Sequence, residues 1–276
     1  MAKMRMPAVA GRFYPGTPEA LLAEVDQHLR AAARPQRIKA IGCLAPHAGY
    51  MYSGHVAGAV FAAMELPKRF VILCPNHSGR GRALAIMSSG AWRTPLGDAA
   101  IDEDIANALM REFPAMEEDA EAHRHEHALE VELPFLQAQI GDMRFVPICV
   151  GTARLDVLLS LGEAIAVVMR EAAAHSGEPP PLLVTSSDMN HYEPDALTRA
   201  KDARAIAQVL ALDARGLHEV VQRENISMCG YAPTVAMLTA ARALGATSAE
   251  LIKYTTSADV SGDRSAVVGY AGIVVT

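Results

Sequence analysis

The feature that most constrains this chain is a set of short runs rich in Val, Ile and Leu, notably 70–74 (FVILC), 145–150 (FVPICV) and 182–186 (LLVTS). Runs of this length without polar alternation are strands buried on both faces. Segments 38–44, 84–87, 250–255 and 266–275 complete the expected strands. Helical spacing fills the gaps at 54–64, 101–113, 127–139, 155–174, 198–212, 216–223 and 234–244. Asp102, Glu103 and Asp104 suit the N-terminus of the second of these helices. Strands alternating with helices predict an α/β fold, with a mostly parallel central sheet covered by helices on both faces. With 276 residues, 51% of them hydrophobic, the chain can bury one large core. We read residues 1–276 as a single domain, since no repeat or linker interrupts them and the Pro-rich stretch at 178–181 is short.

Residues 6–16 are full of Pro and Gly and read as an irregular arm. Thr17 then caps a helix with Pro18 at its first position. Leu21, Leu22, Val25 and Leu29 line its apolar face, and Pro35 ends it. Basic and acidic residues number 25 and 31, a net charge of −6 with no basic block. That argues against a nucleic-acid or anionic-membrane surface. No run approaches the roughly 18 residues that span a bilayer, and no signal-peptide pattern opens the chain. Cys43, Cys74, Cys149 and Cys229 are scattered without a CxxC pair. Reduced thiols and a cytoplasmic location are the expectation. Cys43, Cys74 and Cys149 sit inside apolar strands and read as core.

Ten histidines are the compositional excess. Ligands of open α/β sheets bind beyond the carboxyl ends of the strands. Three expected strands run into polar loops carrying histidine: Pro46-His47-Ala48-Gly49-Tyr50, Pro75-Asn76-His77-Ser78-Gly79, and Asp188-Met189-Asn190-His191-Tyr192. Such loops converge at one sheet edge, so His47, His77 and His191 are candidates for a shared site. Cys229, in a Gly- and Pro-flanked loop just before a helix, is a fourth candidate. In the segment His123-Arg124-His125-Glu126-His127, only His127 is assigned to the site, with Glu130 on the same helical face. His123 and His125 read as solvated, and His28, His175 and His218 as exposed.

The motifs PHAGYMYSG (46–54), PNHSG (75–79), EHALEVELPFL (126–136), SSDMNHY (186–192), CGYAP (229–233) and GYAG (269–272), after the arm RMPAVAGRFYP (5–15), occur together and in order. In this the chain resembles the Memo family, whose bacterial members are also called AmmeMemoRadiSam system protein B. The resemblance covers nearly the whole chain. It implies a fold similar to the catalytic subunit of class III extradiol dioxygenases, which hold non-haem Fe(II) with two His and one Glu. It further implies that His47 and His77 are metal ligands and that Cys229 stands where the dioxygenases have the carboxylate. His191 matches their acid–base histidine. Two imidazoles and a thiolate suit Fe(II) first, then Cu or Zn, and leave positions open for water, oxygen or substrate. Asp188 would orient a ligand imidazole or ligate directly. Tyr50 and Tyr192 would donate hydrogen bonds to a bound oxygen species or wall the pocket.

The leading expectation is therefore a non-haem, metal-dependent redox or oxygenase-type enzyme, with His191, Asp188 and His127 in catalytic roles. Two readings stand beside it. One is a module that binds metal or phosphopeptide without turnover. The other is a metal-dependent hydrolase with His191 or Glu130 as base. The ligand is an unidentified small molecule or peptide. The bacterial family name implies a pathway shared with radical-SAM and Ammecr-like proteins.

Overall fold

A computed structural model describes residues 3–276. In chain order the strands are β1 (Met4–Arg5), β2 (Gly42–Ala45), β3 (Arg69–Pro75), β4 (Leu84–Ile86), β5 (Ala91–Thr94), β6 (Gly97–Ile101), β7 (Glu117–Glu118), β8 (Arg144–Val150), β9 (Leu182–Ser186), β10 (His191–Glu193), β11 (Ala249–Thr256) and β12 (Val267–Val275). The helices are α1 (Pro18–Ala31), α2 (Tyr50–Ala63), α3 (Glu103–Glu112), α4 (Ala120–Arg124), α5 (Leu133–Ile140), α6 (Leu155–Ser176), α7 (Asp195–Leu210), α8 (Ala214–Glu224), α9 (Tyr231–Ala243) and α10 (Ala258–Ser261).

All the strands join one sheet, whose spine runs β1-β5-β6-β8-β3-β9-β2-β12-β10. The central strands β8, β3, β9 and β2 are parallel. Antiparallel pairs lie toward the flanks, where β12 meets β2, β10 and β11 and where β5 meets β6. The strongest strand signals belong to the centre: every residue of β3 and β9 is buried. The mostly parallel, helix-flanked α/β architecture read from the sequence is the one observed. On one side α1, α2 and α5 pack together, with α2 against β2, β11 and β12. On the other, α3, α6, α8 and α9 pack together, with α9 against β2, β3 and β9.

Several elements differ from the sequence reading. The helix expected at 127–139 is a turn, then a 3-10 turn at Glu130–Glu132, then α5 from Leu133. Pro134 lies in the first turn of α5, where its missing N–H costs nothing, and a helix could not run through it from His127. Strand 38–44 shortens to β2, because Ile38 only bridges to Met64. The hairpin β5–β6 was missed; its alternating burial around Trp92 and its turn at Gly97 (φ 122°) mark it in hindsight. The arm at 6–16 is irregular but for a bridge between Ala10 and Tyr14, and just before it Met4 and Arg5 pair with Ala91 and Trp92. No helix among the described residues is long and apolar enough to cross a membrane.

Candidate metal centre

Strands β3, β9 and β2 are neighbours, and the loops bearing His77, Asp188 with His191, and His47 leave from their carboxyl ends. Parallel pairing brings these loops to one sheet edge, as expected. A ring nitrogen from each of His47, His77 and His127 lies within 4.8 Å of the others. Ring centroids are 5.1 Å apart for His47 and His77, 5.4 Å for His47 and His127, and 4.7 Å for the stacked pair His77 and His127. His47 is buried, His127 half-buried, and His77 the most open of the three. Cys229 Sγ lies 3.2 Å from His47 Nε2. Its loop fits closely over β9: a Cβ at Gly230 would stand 2.4 Å from the Ser186 carbonyl oxygen, so only glycine fits.

The orientation of the imidazoles is fixed from behind. His77 Nδ1 donates to Glu126 Oε1 at 2.9 Å, and the His77 backbone N–H donates to Oε2 at 2.7 Å. The same Oε1 accepts from the Ala128 N–H at 2.9 Å and lies 3.4 Å from His127 Nδ1. Glu126 is fully buried, so this is a carboxylate–histidine pair of the kind that orients metal ligands. His47 Nδ1 lies 2.9 Å from Ser186 Oγ. Asp188 instead holds backbone: its Oδ1 accepts the N–H groups of His47 and Ala48 at 2.8 and 3.3 Å, and its Oδ2 lies 4.0 Å from His47 Nε2. The ring-orienting role expected of Asp188 thus falls to Ser186, while Asp188 keeps a carboxylate oxygen toward the cluster.

Burial, reinforced by His77, His127 and His191, holds the His47 imidazole well below its ordinary range. Burial and His77 also lower His127, against the pull of Glu126. For His77 burial is outweighed by Glu126, which raises it. Burial pushes the Asp188 carboxyl up to about 6, and burial with Asp188 pushes the Cys229 thiol up. His47 and His127 are therefore neutral near pH 7, the form that ligates metal.

His191 lies near enough for its charge to act on Asp188 and His47. Its Nδ1 lies 2.9 Å from the Ser227 carbonyl oxygen, and its N–H donates to Ser227 Oγ at 2.7 Å. A carbonyl only accepts, so Nδ1 carries a proton, and in the neutral ring Nε2 is the free acceptor. Tyr192 is 77% exposed beside it, with its backbone in the left-handed region (φ 59°).

Two expected pocket residues face elsewhere. Glu130 is buried under the N-terminal arm. It pairs with Arg5 and accepts from the N–H groups of Ala8 and Val9 at 2.8 and 3.0 Å and from the Tyr14 hydroxyl at 2.6 Å. With both oxygens committed, it serves neither as pocket wall nor as base. Tyr50 is buried, and its hydroxyl donates to the Val131 carbonyl at 2.7 Å. His123, read as solvated, is fully buried against Trp92. His28, read as exposed, is half-buried and packs over Gly54 and Gly58. The arm itself serves the site: Arg5 also donates to the carbonyls of His123 and Glu126, and Phe13 meets the His127 ring edge-on at 5.0 Å.

Sequence reasoning missed the supporting residues Glu126, Ser186 and Arg5. All three lie inside the quoted motifs. A carboxylate flanked by two histidines was the available signal for Glu126, because ligand imidazoles need an acceptor behind them.

Fold and site together define an α/β protein with a three-histidine candidate metal centre at the carboxyl edge of its sheet. The family described as Memo-like protein matches residues 5–274. The chain is 45% identical over 282 residues to the MEMO1 family protein MK0963 of Methanopyrus kandleri, covering 98% of each chain. It is 40% identical over 282 residues to a MEMO1 family protein of Pyrobaculum arsenaticum, covering 99% of each. The chain belongs to the Memo family. Its fold is similar to that of the uncharacterized protein JW3007 from Escherichia coli K12, with a TM-score of 0.55 over 84% of this chain and 98% of that one. At 12% identity that likeness is one of fold alone.

Proposed function

We propose that this protein is a metal-dependent enzyme of redox or oxygenase type. Its transition-metal ion, Fe(II) before Cu or Zn, is held by His47 and His77 with Cys229, and His127 lies alongside. The observation that carries this reading is the gathering of three imidazole nitrogens within 4.8 Å, with the thiol of Cys229 3.2 Å from one of them. The donors fit such an ion: imidazole and thiolate select borderline and soft metals over Mg or Ca. When bound, the metal supplies Lewis acidity and, if it is iron or copper, one-electron redox chemistry.

The chain's own residues do the rest. Glu126 and Ser186 hold the His77 and His47 rings from behind. His191 Nε2, bare because Nδ1 is tied to Ser227, takes a proton from a substrate hydroxyl and returns it. Asp188, whose carboxylate feels the charge of His191, holds the loop that carries His47. Tyr192, exposed beside His191, offers its ring to an incoming ligand.

The test begins with protein purified without chelator. Metal content should be near one per chain and should fall in His47→Ala and Cys229→Ala; unchanged content in both sinks the site. Oxygen uptake by the Fe(II)-loaded protein across a panel of catechols then tests turnover. No uptake from any of them, with metal still bound, would leave a binding protein. Turnover of esters or amides by the Zn(II) form without oxygen would make it a hydrolase.

A further inference from the structure

Ser186, the last residue of β9, has one hydroxyl hydrogen and three close neighbours. Its Oγ lies 2.6 Å from the Ala128 carbonyl oxygen, 2.8 Å from Glu132 Oε1 and 2.9 Å from His47 Nδ1. The Ala128 carbonyl can only accept, and it is the nearest of the three, so the hydroxyl hydrogen goes there. The other two contacts must then be donated to Ser186 Oγ, whose two lone pairs they fill. His47 Nδ1 must carry a hydrogen, and so must the Glu132 carboxyl. Only the neutral carboxylic acid has one to give.

The surroundings of Glu132 agree. The residue is 0% exposed, and among the described residues its Oε2 has no hydrogen-bond partner. No cation among the described residues is paired with it. Besides His47, which shares Ser186 Oγ with it, the titratable groups that interact with it are Asp188, which is acidic, and Cys43 and Tyr50, which are neutral. Tyr50 gives its hydroxyl hydrogen to Val131 instead. An ionised carboxylate here would be a buried charge with one oxygen wholly unpaired, which proteins avoid. Burial pushes the carboxyl well up.

We propose that Glu132 is a positioning residue kept as a neutral acid, and that the chain Glu132–Ser186–His47 locks His47 in the Nδ1–H tautomer, with Nε2 bare toward Cys229. Its consequence for ligation rests on the metal reading above; the protonation states do not. The chain also joins the turn before α5, the end of β9 and the loop after β2, three segments far apart in sequence.

The test uses the protein stripped of metal and then titrated with Zn(II). The infrared difference between wild type and Glu132→Gln should contain a protonated-carboxyl C=O band from the wild type; its absence overturns the proposal. Nitrogen-15 spectra should show the His47 ring as the Nδ1–H tautomer in wild type and Glu132→Gln, and as a mixture in Ser186→Ala. An Nε2–H ring in wild type overturns it. Zn(II) affinity should fall about 10- to 100-fold in Ser186→Ala and Glu132→Leu, yet stay within about threefold in Glu132→Gln, whose amide N–H still donates to Ser186. A Gln variant as weak as the Leu variant overturns it. If His47→Ala binds Zn(II) as wild type does, the metal reading fails. The infrared band and the ring tautomer then still decide the chain by themselves.

Discussion

Glu126 is the residue whose replacement would tell most about how the centre is built. Three N–H groups converge on its two oxygens: His77 Nδ1 and Ala128 N on Oε1, and His77 N on Oε2. In Glu126→Gln one oxygen becomes an NH2 group, which must face an N–H donor. The less costly placement puts the amide oxygen at the Oε1 position, so the ring contact survives without its charge and one backbone N–H loses its acceptor. In Glu126→Ala all three donors are orphaned and the His77 ring is free to turn. Removing the partner behind a ligand imidazole typically costs 10- to 100-fold in metal affinity. We expect Gln at the lower end, about 1.4 kcal/mol, and Ala at the upper, about 2.7 kcal/mol. Zn(II) competition against a chromophoric chelator reads both, with circular dichroism confirming the fold. His77 should also lose its raised pKa in the Gln variant, because Glu126 is what raises it against burial. Affinities within threefold of wild type in both folded variants would refute the argument, for His77 would then owe nothing to its carboxylate.

Three further outcomes follow from the geometry. Glu130→Ala leaves Arg5 buried without its counter-ion and should cost about 3–5 kcal/mol in urea unfolding; a loss under about 1 kcal/mol would contradict the burial of that pair. Burial pushes the Asp202 carboxyl up to about 6, against the Tyr254 hydroxyl and the Asn190 N–H. The folded state therefore holds this proton more tightly than the unfolded chain, so its contribution to stability falls as pH rises from about 4 to 6 and is level above. Asp202→Asn should remove that slope, on the order of 3 kcal/mol, seen as the difference between the two pH–stability curves. Gly230→Ala would set a Cβ 2.4 Å from the Ser186 carbonyl oxygen and 2.5 Å from Ser187 Cβ. The Cys229 loop must lift, so stability should fall by about 1–3 kcal/mol and Zn(II) binding should weaken.

Much of this protein is legible before folding, and for a local reason. FVILC at 70–74 has no polar residue to give to solvent, so it must be a strand covered on both faces. Once several such strands alternate with helices, their carboxyl ends share an edge, which is why the loops bearing His47, His77 and His191 are expected at one edge from their positions alone. Glu130 and Glu132 show where this logic stops. Both follow His127 closely in one motif, and nothing local separates them. The N-terminal arm, more than a hundred residues away, draws Glu130 to Arg5, while the end of β9 offers Glu132 a single hydroxyl. Side-chain roles of this kind are set by partners distant in sequence. Composition and periodicity determined the layers and the edge where chemistry gathers. Tertiary packing decided which carboxylate is consumed by structure, which orients a ligand, and which is buried without a countercharge.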